Sequence, residues 1–167
     1  NKILLVGSST GSVAVYNFNN PGKNNVTKIT HKGLVTAVNQ VIHKDEQVPI
    51  LAYKEKVFVR DSKTLFEHNH EGEIFQIVSH PTLTNLFILF SRDGTWSLND
   101  LDEMAVLFRS SKVNNICCGD IHVDGALLGT GTENGEVTIY NLTSGQSVFN
   151  IKSKYPNIKK LSFASNG

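Results

Sequence analysis

The sequence predicts an all-β protein built from repeated four-stranded antiparallel units, and three observations lead to this class. Short apolar or β-branched runs are joined by tight turns that end in glycine, as at Val123-Asp124-Gly125 and Glu133-Asn134-Gly135, a pattern typical of β-hairpins. The same pattern of turn and strand returns at intervals near 40 residues. The best helix candidate, residues 100–108, is short and falls where the repeat requires a turn and a strand.

Two independent sets of residues define the repeat. One strand in each unit closes at Asn17, Asp61, Asp100 or Asn141, at intervals of 44, 39 and 41 residues. A second strand in each unit opens at Ile74, Ile116 or Ile158, at intervals of 42 residues. This period fits the four-stranded blades of a β-propeller.

The whole chain, 1–167, is predicted to be part of one propeller, with about four blades represented. In each blade the strands are labelled a to d. A partial blade covers 1–33, complete blades cover 34–72, 73–112 and 113–156, and 157–167 holds the first strand of another blade. The predicted strands of the second, third and fourth units are 35–42, 49–53, 56–60 and 64–67; 74–79, 86–91, 95–99 and 105–109; and 115–121, 126–130, 136–142 and 147–151. Residues 158–164 are predicted as the final strand.

Composition restricts the class of protein further. Hydrophobic residues make up 40% of the 167 residues and charged residues 19%, which indicates a globular and soluble chain. The net charge of +1 gives no general attraction to nucleic acid or to an acidic membrane. The apolar runs are far shorter than a membrane span, and no secretory leader opens the chain. Cys117 and Cys118 are adjacent, so they cannot join distant segments, and a reducing intracellular compartment is expected.

The repeat resembles the WD40 family, in which Gly-His precedes strand a and Trp-Asp closes strand c. The Trp-Asp position is occupied by Tyr16-Asn17, Arg60-Asp61, Asn99-Asp100 and Tyr140-Asn141. Only His31 and His70 lie in the Gly-His region, and no copy keeps the Trp. We therefore expect the family's network of Asp, His, Ser/Thr and Trp to be incomplete in every blade. The resemblance implies seven blades in the complete domain.

A more specific resemblance lies in the fourth unit and the end of the chain. The runs 121–125, 128–132, 137–142 and 161–167 are similar to the pre-mRNA-processing factor 19 family, the spliceosomal U-box ubiquitin ligases of the NineTeen complex. The resemblance implies a nuclear protein of pre-mRNA splicing, DNA repair and ubiquitin conjugation. It implies that catalysis resides in a U-box and homo-oligomerisation in a coiled coil, both outside this chain. The 167 residues are then an excerpt of a longer propeller, with two apolar blade faces uncovered.

No catalytic, cofactor or metal site is predicted. His68-x-His70 has metal-ligand spacing, but no third ligand is visible and His70 fits the Gly-His position. His122 and Asp124 share a turn and could act as acid and base, although the repeat favours a structural turn. Cys117 is interpreted as a small core residue. Trp96, the only tryptophan, is predicted to pack in the core.

The candidate binding site is a rim of loops. Successive antiparallel strands place the b–c turns and the d–a loops on one rim, which we call the docking rim, and the a–b and c–d turns on the opposite rim. Loops on a rigid frame suit partner recognition. The predicted function is a scaffold that docks spliceosomal proteins and ubiquitination substrates. The predicted partner-binding residues are His31, Lys32, His70, Glu71, Arg92, Asp93, Glu133, Asn134, Lys152 and Lys154.

Three alternatives stay open. The chain could be the WD40 scaffold of another nuclear or cytoplasmic complex. It could contact RNA weakly through Lys152, Lys154, Lys159 and Lys160, with Tyr155 available to stack on a base. It could be an enzyme that uses the central channel, but the innermost strands offer mainly Thr36, Gln76, Asn115 and Lys159, and almost no carboxylate beyond Asp120.

Overall fold

The computed structural model describes residues 3–18, 26–30, 33–60 and 65–164. These residues form fifteen β-strands and no helix. The strands make four antiparallel sheets, in which each strand pairs with its neighbours in the chain. The predicted all-β class and its WD40-like antiparallel blades are therefore confirmed. Within the described ranges there is no helix that could cross a membrane.

The first sheet has three strands and the others have four. The first holds β1 (Ile3–Gly7), β2 (Ser12–Asn17) and β3 (Val26–Thr30). The second holds β4 (Val35–His43), β5 (Glu46–Tyr53), β6 (Lys56–Arg60) and β7 (Leu65–Asn69). The third holds β8 (Ile74–Ser79), β9 (Leu86–Ser91), β10 (Trp96–Asp100) and β11 (Ala105–Arg109). The fourth holds β12 (Ile116–Ile121), β13 (Leu127–Thr132), β14 (Glu136–Asn141) and β15 (Ser147–Lys152).

The hairpin of β4 and β5 is longer than the sequence predicts. Lys44 and Asp45 have φ angles of 50° and 64°, and two consecutive residues with positive φ form a tight two-residue turn that matches the strand twist. Pairing therefore continues to His43 opposite Glu46. The predicted strand 49–53 begins too late because the sequence contains no glycine to mark this turn.

The first strand of each four-stranded sheet contains a β-bulge at the same point of the repeat. The register skips Thr36 in β4, Phe75 in β8 and Cys117 in β12. These residues are 39 and 42 positions apart. A bulge redirects the side chain of the extra residue. The side chains of these three residues are therefore redirected at equivalent points of the inner strands.

The core lies between sheets that pack face to face. One cluster joins the second and third sheets and contains Ile50, Val57, Ile74 and Phe87, each fully buried. The next joins the third and fourth sheets around Trp96, which is 0% exposed. The Trp96 ring lies 5.1 Å from that of Phe108 and 5.2 Å from that of Tyr140. The prediction that Trp96 packs in the core is confirmed.

Side chains of the inner strands also bridge successive sheets. Asn39 Nδ2 donates to the carbonyl of Ile77 over 2.8 Å, and Gln76 Nε2 donates to that of Gly119 over 2.8 Å. The amide of Phe163 donates to Asp120 Oδ2 over 2.9 Å. Residues 158–164, predicted as a strand, lie beside β12 through such contacts but form no strand, because they pair with no second strand among the described residues.

Candidate protein-docking site

The docking rim of the third sheet brings four predicted residues together. His70 and Glu71 lie in the loop before β8, and Arg92 and Asp93 lie in the turn between β9 and β10. The amide of Glu71 donates to Asp93 Oδ2 over 3.0 Å. The loop and the turn, 22 residues apart in sequence, are therefore held against each other.

A buried hydrogen-bond network fixes this junction. His70 Nδ1 lies 3.2 Å from Asp93 Oδ2, and His70 Nε2 lies 3.0 Å from Ser97 Oγ. The hydroxyl and the amide of Thr95 donate to Asp93 Oδ1 over 2.7 and 2.8 Å. The side chains of His70 and Asp93 are only 0% and 5% exposed. These two residues hold the rim in place and do not present their side chains to a partner.

The WD40-type network of this sheet lacks its Trp, as expected, but another donor occupies that position. Asn99 stands where the family has Trp, and its Nδ2 donates to Ser97 Oγ over 3.1 Å. An amide nitrogen can only donate, so the Ser97 hydroxyl accepts from Asn99 and donates to His70 Nε2. His70 Nδ1–H then donates to Asp93. The side-chain amide of Asn99 thus supplies the donor that the missing indole would supply.

Burial sets the protonation states of the pair. Burial lowers the pKa of His70 below its ordinary value, although the Asp93 carboxylate opposes this shift. Burial alone would raise the pKa of Asp93, but hydrogen bonds from Thr95, attraction to His70 and the Glu71 amide together lower it to about 2. The His70 imidazole is therefore neutral and the Asp93 carboxylate is ionised, which agrees with the directions of the hydrogen bonds.

The other described residues of the predicted site are exposed to solvent. Arg92 Cζ lies 4.6 Å from the centre of the Phe75 ring, a cation–π distance. Glu71 Oε2 lies 3.0 Å from Lys112 Nζ, with both side chains largely exposed. Glu133, Asn134, Lys152 and Lys154 are exposed on the fourth sheet. His31 and Lys32 lie outside the described residues.

The four lysines considered for RNA do not form one cluster. Lys152 ends β15, the outer strand of the fourth sheet. Lys159 and Lys160 line a cavity of about 530 Å³ beside the inner strand β12. The two edges of the sheet are three strand spacings apart, about 14 Å. Lys154 and Tyr155 are exposed in the segment between them, with Tyr155 79% exposed.

The other residues considered for catalysis or metal binding make contacts within the fold. His122 Nδ1 lies 2.8 Å from Asp124 Oδ1, which also accepts from the Ala126 amide over 2.8 Å. Cys117 Sγ donates to the carbonyl of Ile158 over 2.9 Å, and burial raises the pKa of Cys118 to about 11. Across the described ranges, no three His, Cys, Asp or Glu residues are grouped to hold a metal. The side chain of His68 lies outside the described residues.

A groove that the sequence did not reveal lies between the third and fourth sheets, on the opposite rim. Its volume is about 570 Å³. Leu83 and Leu107 in its lining are 53% and 51% exposed. In β11 the register passes from Phe108 to Val106 and leaves Leu107 as an extra residue, and such a bulge redirects the side chain. Sequence alone gives no signal for this bulge. The lining includes Leu83, Leu86, Leu98, Leu107, Asp124 and Leu142.

A histidine at or just after the end of each inner strand β4, β8 and β12 contacts the part of the chain that packs against its sheet. His43 Nδ1 lies 2.7 Å from Asp102 Oδ1. His80 Nε2 donates to the carbonyl of Gly125 over 3.0 Å, and the His122 ring lies 5.3 Å from that of Phe163. The His43 and His80 contacts tie together turns of the opposite rim.

Comparison with known proteins finds three relatives that carry the same name. No protein-family model matches the chain. The chain is 31% identical over 60% of its length to "Pre-mRNA-processing factor 19 homolog 2" of Arabidopsis thaliana. It is 28% identical over 59% of its length to "Pre-mRNA-processing factor 19" of Oryza sativa subsp. japonica. It is 23% identical over its whole length to the protein of that name from Dictyostelium discoideum.

The match covers a minor part of each relative. The chain spans 19% of the Arabidopsis protein, 19% of the rice protein and 35% of the Dictyostelium protein. All three comparisons name the family that residues 121–142 and 161–167 resemble. The predicted resemblance is therefore confirmed: this chain of WD40-like blades is similar, over 59% or more of its length, to proteins named pre-mRNA-processing factor 19.

Proposed function

We propose that this chain is the partner-docking part of a WD40 scaffold that acts in pre-mRNA splicing. One observation carries the docking role: exposed charged side chains stand on turns that a buried network holds rigid. Glu71 and Arg92 are exposed, while His70 and Asp93 beneath them are buried. Recognition by such loops can vary without disturbing the core. The name shared by the relatives supports the splicing role.

The partners follow from the same proposal. They are spliceosomal proteins of the NineTeen complex and ubiquitination substrates, which places the protein in the nucleus. The chain takes no catalytic part: ubiquitin transfer belongs to a U-box, and homo-oligomerisation to a coiled coil, both outside these 167 residues. A role in DNA repair would use the same docking surfaces.

The blade organisation belongs to the proposal as well. Units 34–72, 73–112 and 113–156 each enclose one described four-stranded sheet, which supports the proposed boundaries. The three-stranded sheet falls within 1–33, and 157–167 would begin a further blade, whose remaining strands would provide its pairing partners. Seven such blades would complete the propeller.

Co-purification tests the docking role. The full-length protein is tagged and recovered from nuclear extract, as wild type and as a Glu71→Lys/Arg92→Glu variant. Both side chains are exposed, so the variant keeps its fold and loses splicing proteins because the charges of the docking rim are reversed. Glu46→Lys, an exposed charge reversal at the start of β5 that lies away from the docking rim, is the matched control. Recovery of no splicing protein by the wild type, or equal recovery by all three proteins, contradicts the proposal.

A further inference from the structure

We propose that the groove between the third and fourth sheets binds a short extended segment of a partner protein, in which an apolar side chain adjoins a lysine or arginine. The inference rests on the proposed scaffold function and adds a second docking surface, on the opposite rim. It names the chemistry of the partner segment that this surface accepts.

The walls and floor of the groove are apolar. Leu83 and Leu107 form walls that are 53% and 51% exposed, whereas Leu86, Leu98 and Leu142 are each 8% exposed. A volume of about 570 Å³ falls in the range of ligand sites, which are mostly apolar with a few polar groups. Because both walls face solvent, the groove suits a segment lying across the surface better than an enclosed small molecule.

One carboxylate gives the groove its charge preference. Asp124 is the only Asp, Glu, Lys or Arg among the described lining residues. Its Oδ1 accepts from the Ala126 amide and pairs with His122 Nδ1, each over 2.8 Å. These contacts, the Ala126 amide first, lower the pKa of Asp124 below its ordinary value. The ionised Oδ2, for which the described residues provide no hydrogen-bond donor, is available to accept from an ammonium or guanidinium group.

The surrounding turns carry charge of the same sign. In the described turns of the opposite rim, the acidic side chains are Asp45, Asp102, Glu103 and Asp124, and Lys44 is the only basic one apart from histidine. Complementary charge steers encounter and disfavours acidic segments. This rim therefore selects a basic partner even though the whole chain has a net charge of only +1.

The two sides of the groove are held at a fixed spacing before any partner arrives. His80 Nδ1 accepts from the Leu83 amide over 2.9 Å, and Nε2 donates to the Gly125 carbonyl over 3.0 Å. One buried imidazole thus joins the turn that carries Leu83 to the turn that carries Asp124. A site held in its binding conformation costs less ordering when a partner binds.

Peptide selection tests this inference. A phage library of random 12-residue peptides is selected on the full-length protein. Enriched peptides are then labelled with fluorescein and titrated against variants. We expect Lys or Arg beside Leu, Ile or Phe in the enriched peptides, and binding at least about tenfold weaker for Leu83→Ser and for Leu107→Ser, as for a central interface residue. Val148→Ser is the matched control, because Val148 is the extra residue at the equivalent point of β15, is 56% exposed and does not line the groove.

A second measurement tests the charge interaction between the peptide and Asp124. Replacing the peptide's basic residue by Gln should weaken binding to the wild type severalfold and leave binding to Asp124→Asn almost unchanged, because the partner of that charge is gone. Asn keeps the side-chain oxygen that the Ala126 amide needs, and melting curves verify that each variant is folded.

Three results overturn the inference: no enriched peptide, enrichment of acidic peptides, or unchanged affinity for both leucine variants. Peptides that lose affinity only for Glu71→Lys/Arg92→Glu would place binding on the docking rim, which refutes the groove and leaves the scaffold function standing. Groove binding without co-purified splicing proteins would instead refute the proposed role in splicing.

Discussion

At the scale of single residues, Asn99 shows how a blade keeps its internal network after losing a signature residue. The sequence shows that the Trp of Trp-Asp is absent, so the network was expected to be broken. It could not show that the shorter amide of Asn99 reaches Ser97 Oγ at 3.1 Å. Asn99 and Ser97 are two residues apart on one face of β10, but the link from Ser97 to His70, 27 residues away, depends on how the His70 loop packs on that strand, which no local pattern encodes.

Asn99→Asp tests this donor role. The change keeps the size of the side chain but replaces a donor by a carboxylate at a site with 0% exposure. A buried charge without its hydrogen bond is costly, so we expect a loss of about 2–4 kcal/mol in the free energy of unfolding, measured by urea denaturation. Asn134→Asp, at an exposed turn, should change stability by less than about 0.5 kcal/mol. Equal effects of the two changes would contradict the network.

The His70–Asp93 pair predicts that acid destabilises the fold in two steps. Burial lowers the pKa of His70, so the unfolded chain binds more protons than the folded one once the pH falls below about 6.5. The stability that the neutral imidazole provides is present above that pH and is lost below it. Asp93, with its pKa lowered to about 2, contributes stability that is lost as the pH falls from about 4 to about 2.

Urea denaturation between pH 8 and pH 5 measures the first step. His70→Gln should flatten the decline in the free energy of unfolding, because the titrating group has been removed. His122→Gln, at a partly exposed turn, serves as the comparison. An undiminished decline in His70→Gln would contradict the assignment of this step to His70.

At the scale of elements, turns and apolar runs determined most of what the sequence could predict. The strands at 74–79, 86–91 and 105–109 were predicted with their observed bounds. Bulges escaped prediction, because one extra residue in a strand leaves the apolar pattern almost unchanged. The groove depends on the bulge at Leu107 and on contact between two sheets, so it was not predictable from sequence.

Gly125 tests how closely the sheets approach. It has a φ of +81°, and an added Cβ would lie 2.2 Å from Cε1 of the buried His80. Gly125→Ala should therefore destabilise the protein by about 2–4 kcal/mol, combining backbone strain with the clash. Gly33→Ala is the control, since Gly33 has a φ of +132° but, apart from itself and its chain neighbours, no described residue within 4 Å of the added Cβ. Thermal unfolding that shifts equally in both variants would contradict a tight contact between His80 and Gly125.

At the scale of the whole molecule, the end sheets expose apolar surface. Leu4 and Val6 of the first sheet are 49% and 46% exposed, and Phe149 and Ile151 of the fourth are 60% and 47% exposed. Phe149 and Ile151 lie opposite Ile139 and Val137 on β14, so four apolar side chains share one sheet face. Neighbouring blades normally cover such faces.

The isolated 167-residue chain should therefore self-associate. Sedimentation velocity should show an average mass that rises with concentration, because contiguous exposed apolar patches associate in water. Phe149→Lys/Ile151→Lys should shift the equilibrium strongly toward monomer. Val123→Lys, at a turn residue with 51% exposure, should not. A monomer at all concentrations would contradict the account of these faces.

The sequence predicted the placement of the rim residues but not their burial. Alternating turns placed Glu71 and Arg92 on one rim, and both are exposed there. The same reasoning could not tell that His70 and Asp93, in the same loop and turn, are buried, since their burial depends on the Ser97 and Thr95 side chains packed beneath them.

Pre-mRNA splicing in nuclear extract tests the central claim most directly. Extract depleted of the endogenous full-length protein is supplemented with wild type, with Glu71→Lys/Arg92→Glu or with the Glu46→Lys control, and intron removal is quantified. Wild type and the control should restore splicing, and the docking-rim variant should restore it at least severalfold less while showing an unchanged melting temperature. Splicing that is indifferent to depletion, or that the docking-rim variant restores in full, would contradict a splicing scaffold that docks its partners through this rim.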